Sequence, residues 1–221
     1  MHVNKRLLAE DPALAERVLL HLRADLDEVV HFLPAPAVAV IRTVEVWVEK
    51  DGTHEASKMG RGMCCHWSSA WLREHGVLAE KVGHVEIMNP ADFLEWRRDQ
   101  PYMTFHEMAH AVHWRLGRCD ADIKGAYDKA MKAKLYDAVP RNTMPRGKNV
   151  KAYAAENDHE YFAELSEAYF ALNDFYPFKR PQLADHDPEG YDLMEKVWGM
   201  SAAAFQAKWS PREGAVARPK F

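Results

Sequence analysis

The alternation of apolar and polar positions divides the chain into a mixed front and a helical back. Leu14, Val18, Leu22 and Leu26 recur every fourth residue within Asp11 to Val30, the stripe of an amphipathic helix. Val38 to Val48 is dense in β-branched residues and is followed by the turn signal Asp51-Gly52, so it predicts a strand. Ser68 to His75 predicts a short helix that Gly76 stops. His84 to Met88 alternates and closes on Asn89-Pro90, which predicts a second strand, and Ala91 to Arg98 turns helical again. From Pro101 onward the pattern is helix or loop, with Tyr153 to Leu172 strongly helical. The expected class is α+β in a single domain, residues 1–221. Residues 1–100 would form a mixed lobe with a small sheet and 101–221 a mainly helical lobe, with the break near Gln100.

Composition narrows the partners. Hydrophobic residues make up 48% and charged residues 28%, as in ordinary globular domains. With 29 Lys+Arg against 33 Asp+Glu the net charge is −4, so no cationic excess is present to neutralise a phosphate backbone. No nucleic-acid partner is expected. No apolar run reaches the ~20 residues of a membrane span, and the longest candidate, Leu33 to Ile41, is interrupted by Pro34 and Pro36. No membrane partner is expected either. Met1 to Glu10 carries no apolar secretory core, and Cys64, Cys65 and Cys119 are an odd set with two adjacent. A reducing, cytoplasmic setting follows as the expectation. Cys64-Cys65-His66 lacks the Cys-x-x-Cys spacing of a soft-metal site and reads as core packing or a free thiol. Twelve histidines make spacing the next question.

Spacing singles out His106-Glu107-Met108-Ala109-His110. On a helix, positions i and i+4 share a face, so both imidazoles can reach one metal ion while Glu107 stands beside them as a base for an activated water. Phe105, Ala109, Val112 and Leu116 supply the adjoining apolar stripe, and Gly117 is a natural stop. Zinc suits such donors, and a catalytic zinc takes three protein ligands. The metzincin continuation would put Gly and His three and six residues after His110, where this chain has His113 and Leu116. A gluzincin arrangement instead takes a Glu from a later helix. Glu160-Tyr161-Phe162-Ala163-Glu164 provides one: Glu160 is the candidate third ligand, and Glu164 the carboxylate that orients a ligand histidine. Glu160, Glu164 and Glu167 form one stripe beside the core stripe of Tyr161, Leu165, Ala168 and Tyr169. His113, one turn past His110, stands as the alternative third ligand.

This set, His106-Glu-Met-Ala-His110, then Tyr153, then Glu160-Tyr-Phe-Ala-Glu164, resembles the zinc-peptidase domain of the anthrax lethal factor-like group, whose relatives include clostridial proline-specific endopeptidases. The resemblance spans about Val82 to Phe170 and implies a zincin-like fold. It also implies a Zn²⁺ cofactor, a Glu third ligand, and a Tyr seven residues earlier that stabilises the transition state, a position Tyr153 fills. Peptide-bond hydrolysis with Glu107 as general base follows, on a peptide or protein substrate. A zinc-holding regulatory module, or a hydrolase of non-peptide amides, would use the same ligands; a module has no use for Glu107. His84, Val85, Glu86 and Ile87 are the expected edge on which a substrate strand pairs. Pro140 to Asn149, with Arg141, Arg146 and Lys148, is the expected cover of the cleft.

Overall fold

Asp11 accepts the Leu14 N–H and Pro12 takes the first turn, so the first long helix starts where the sequence places its cap. The computed structural model describes residues 1–50, 62–117, 120–142, 148–201 and 203–204. The Asp51-Gly52 signal, Cys119 and Arg146 lie outside them. In chain order the elements are β1 (His2–Val3), α1 (Lys5–Glu10), α2 (Pro12–Phe32), α3 (Ala35–Ile41), β2 (Val46–Val48), β3 (Cys64–Cys65), α4 (Ser69–Glu74), β4 (Val85–Ile87) and α5 (Pro90–Trp96). The helical back comprises α6 (Met103–Leu116), α7 (Ala121–Lys132), the β5/β6 pair (Val139–Pro140, Asn149–Val150), α8 (Asp158–Phe170), α9 (Arg180–His186) and α10 (Pro188–Trp198). The class is α+β, helix-rich with a small mixed sheet, and none of these helices is long and apolar enough to cross a membrane.

Three sequence expectations are corrected here. Residues 38–41 are helical, not strand. Pro36 sits in the first turn of α3, where a missing N–H costs nothing, and Ala37, Val40 and Ile41 bury at i, i+3 and i+4. That burial outweighs a helix-propensity penalty of about 0.5 kcal/mol per β-branched residue. Only Val46–Val48 remains extended. The Tyr153 to Leu172 stretch is likewise broken: residues 153–155 form a 3₁₀ turn, and Asn157 caps a new helix by accepting the His159 and Glu160 N–H groups.

The third correction concerns the sheet. Its order is β1-β2-β4-β3, with β4 parallel to β2 and antiparallel to β3. β4 is therefore internal, and His84, Val85, Glu86 and Ile87 cannot accept a substrate strand. All four are buried. His84 Nδ1 accepts the Glu45 N–H at 2.8 Å, and burial, with Arg115 nearby, pulls its pKa down to about 4, which keeps the imidazole neutral. Glu86 is paired with Lys81 Nζ at 3.0 Å and with His66. The edge facing the helices is β3.

One hydrophobic core runs across Gln100 and joins both halves of the chain. α6 lies within it, held at each end by a buried charge. Asp25 of α2 receives Arg97 and the Thr104 hydroxyl, the latter at 2.8 Å. At the other end Arg115, fully buried, donates to the carbonyls of Gly83 (2.6 Å) and Ala111 (2.9 Å) and to Thr43 Oγ1 (3.1 Å). Burial pulls its pKa down only to about 10, so it keeps its charge at neutral pH. Gly83, at φ +74°, lets the Trp114 ring lie where a Cβ would stand.

Candidate metal centre

Along α6, one helical turn places His106 and His110 on the face turned toward the start of α8. Asn157 fixes Glu160 in the first turn of α8, a position that the helix dipole favours for a carboxylate. Glu160 Oε2 stands 3.0 Å from His106 Nε2 and 3.0 Å from His110 Nε2. Tetrahedral zinc with donors at 2.0–2.2 Å separates them by about 3.3–3.6 Å. Widening by a few tenths of an ångström would therefore admit the ion, and the donor set fits zinc. His106, His110 and Glu160 are thus brought together as the sequence expects. His113 is not. It is fully buried, packed edge-on against Trp67, His159 and Phe162, outside the converging set.

The orienting carboxylate is corrected. His106 Nδ1–H donates to Glu167 Oε1 at 2.6 Å, whereas Glu164 Oε1 is 3.8 Å from the same nitrogen. Glu160 and Glu167 are two turns apart, about 10 Å along α8, and His106 spans them with its two ring nitrogens. The Glu167 bond fixes the tautomer that leaves Nε2 free for a metal. Its signal in the sequence is the seven-residue spacing from Glu160 on one stripe. Glu164 instead pairs with Asn173 and faces Asp174. Exchanging Glu167 for Gln should weaken zinc binding about 10–100-fold. Glu164→Gln should cost clearly less, as competition with a fluorescent zinc chelator would measure.

Glu107 and Tyr153 face the same cavity of about 460 Å³ as the three candidate ligands. Burial raises the Glu107 pKa against the pull of His110 and His106, and its carboxylate accepts the backbone N–H of Cys65 on β3. Tyr153 Oη donates to Glu160 Oε1 at 3.2 Å from the 3₁₀ turn, and its ring lies beside His106. Trp67 stacks flat on His159 at 3.8 Å to form one wall, which the sequence did not single out. Met63, Cys64 and Cys65 line another part of the cavity. Cys64 Sγ lies 3.7 Å from His66 Nε2, and burial pushes the Cys65 thiol well up, away from reactivity.

Without a metal this cluster prefers protons. Burial opposes charge on His106, but Glu160 and Glu167 override it and hold its pKa well above the ordinary value. Burial raises Glu107, Glu164, Glu167 and Asp174. A group whose folded pKa is raised contributes stability below its unfolded pKa and loses it as pH rises through the folded one. The four carboxyl groups act in that direction above about pH 4.5 and His106 above about pH 6.5. Glu160 is held low by His110 and His106 despite burial, and its contribution is lost only on the acid side. Tm of the metal-free protein should therefore fall between about pH 5 and 8. Zinc, which displaces protons, should widen its Tm advantage over the same range in calorimetric scans.

Comparison with protein-family models, curated proteins and solved structures finds no match to this chain.

Proposed function

We propose that this chain is a zinc-dependent peptidase of the gluzincin type, with a zincin-like fold, acting on a peptide or protein substrate. The observation that carries this reading is the convergence of His106 Nε2, His110 Nε2 and Glu160 Oε2 beside the raised-pKa carboxylate of Glu107 in one cavity. Zinc held by those three residues would supply Lewis acidity, lowering the pKa of a water and polarising a carbonyl. Glu107 takes the proton of the attacking water as its oxygen bonds to the carbonyl carbon. Burial suits it to this, because a carboxylate with a raised pKa is a better proton acceptor. The phenol of Tyr153, freed from Glu160, donates to the carbonyl oxygen as charge develops there. Glu107 then returns the proton to the amine nitrogen as the C–N bond breaks, and the second proton of the water passes from the new carboxylic acid to the amine, leaving a carboxylate and an ammonium group.

With β4 internal, β3 becomes the strand on which an extended substrate would pair, since among the described residues it is one edge of the sheet and its residues line the cavity. The test is incubation of the zinc-loaded protein with a diverse peptide library, followed by mass spectrometry of the products. Cleavage at preferred bonds, abolished by a chelator and restored by zinc, is expected. Stoichiometric zinc binding with every peptide intact would sink the proposal in favour of a non-catalytic module.

A further inference from the structure

We propose that Arg141 is a carboxylate-recognition residue, so that the preferred substrates carry a carboxylate a short distance from the cleaved bond. This rests on the peptidase reading above and specifies its substrate class. Arg141 is the one Lys or Arg among the described residues lining the cavity. The four lining glutamates all have tasks on the metal site or within the protein: Glu160 as ligand, Glu107 as base, Glu167 on His106 and Glu164 on Asn173. The guanidinium takes no part in them.

Its placement is built rather than incidental. The Arg141 backbone bridges Phe175 antiparallel, flanked by Asn142 N–H to Asp174 O at 2.7 Å and Tyr176 N–H to Pro140 O at 2.9 Å. The guanidinium lies over the Phe175 ring, 4.7 Å from its centroid, and its Nη2 donates to Asp174 Oδ2 at 3.2 Å. One carboxylate and one ring thus hold the side chain in place while using a single N–H of five. Its Nε–H is buried and has no acceptor among the described residues. A planar fork preorganised in this way is suited to a carboxylate, which can take two parallel N–H bonds. In a peptide that group is either the C-terminus or an Asp or Glu side chain. A cavity of about 460 Å³ holds only a few residues, so the carboxylate must lie near the scissile bond.

The experiment takes one peptide cleaved by the zinc-loaded protein and compares it with its C-terminal amide and with Glu→Gln and Asp→Asn exchanges at each position. Amidation or one such exchange should raise KM about 10–100-fold with kcat little changed. The sensitive position tells terminus from side chain. Arg141→Gln should erase that difference, and Arg141→Lys, which keeps the charge but loses the fork, should reduce it. Equal KM for charged and neutral peptides with the unaltered protein overturns the proposal. If no peptide is cleaved, the peptidase reading fails separately. Calorimetric binding of acetyl-Ala-Ala-Ala, as free acid and as amide, to zinc-loaded Glu107→Gln protein then decides the role of Arg141. Preference for the free acid supports it, and equal or absent binding overturns it.

Discussion

Glu107→Gln should lower kcat for the proposed peptide cleavage by about 10³–10⁴-fold, the upper range for a positioned general base, while zinc should still bind at one ion per chain. Gln is nearly isosteric and can still interact with the Cys65 backbone beside it, so the cavity wall survives. It cannot take a proton. The side chain lies next to the ligands without being one of them, which is why binding and turnover should separate. Metal analysis together with steady-state kinetics on the best library peptide checks both halves. Turnover that persists within tenfold of the unaltered protein would exclude Glu107 as the base.

The second large effect is on the metal itself. His110→Ala removes one of three donors and leaves Glu160 facing His106 alone, so zinc at micromolar concentration should no longer bind and cleavage should cease. Stability reports the same loss independently. Zinc at a hundredfold excess over its Kd stabilises the folded state by about 2.7 kcal/mol, roughly 5–10 °C in Tm for a chain of this size. The variant should show no such rise when zinc is added, whereas His113→Ala should retain it at a lower starting Tm, because His113 packs in the core and not on the metal. Paired thermal scans with and without zinc make the comparison. A zinc-dependent rise retained by His110→Ala would remove it from the ligand set.

The candidate ligand histidines were legible because helix geometry is local: four residues make about one turn, so His106 and His110 share a face whatever surrounds them. Glu160 was legible for a related reason, standing on a stripe beside the core stripe of a helical stretch, although that helix begins at Asp158 and not at Tyr153. The cap at Asn157, which places Glu160 in the first turn, was not read from the sequence because the stretch around it predicts continuous helix. The error over residues 38–41 has the opposite origin. β-Branched residues favour strands only weakly, and the burial of Ala37, Val40 and Ile41 against the core outweighed that preference.

What the sequence by itself determined is the set of groups that depends on neighbours a few residues away: the helix carrying His106, Glu107 and His110, the stripe of Glu160, Glu164 and Glu167, and the absence of a membrane-length apolar run. Only the tertiary structure decided between members of that stripe, since both Glu164 and Glu167 point along the same face. The packing of α8 on α6 delivers Glu167 to His106 Nδ1 and leaves Glu164 to Asn173. It decided the sheet as well. Whether Val85–Ile87 is an edge depends on which strands flank it, and β2 and β3 come from distant parts of the chain. Arg141, read from sequence as part of a covering loop, acquired its place in the same cavity as the candidate ligands only when its backbone paired with Phe175. Local periodicity fixes which way a side chain faces, and long-range packing fixes what it meets.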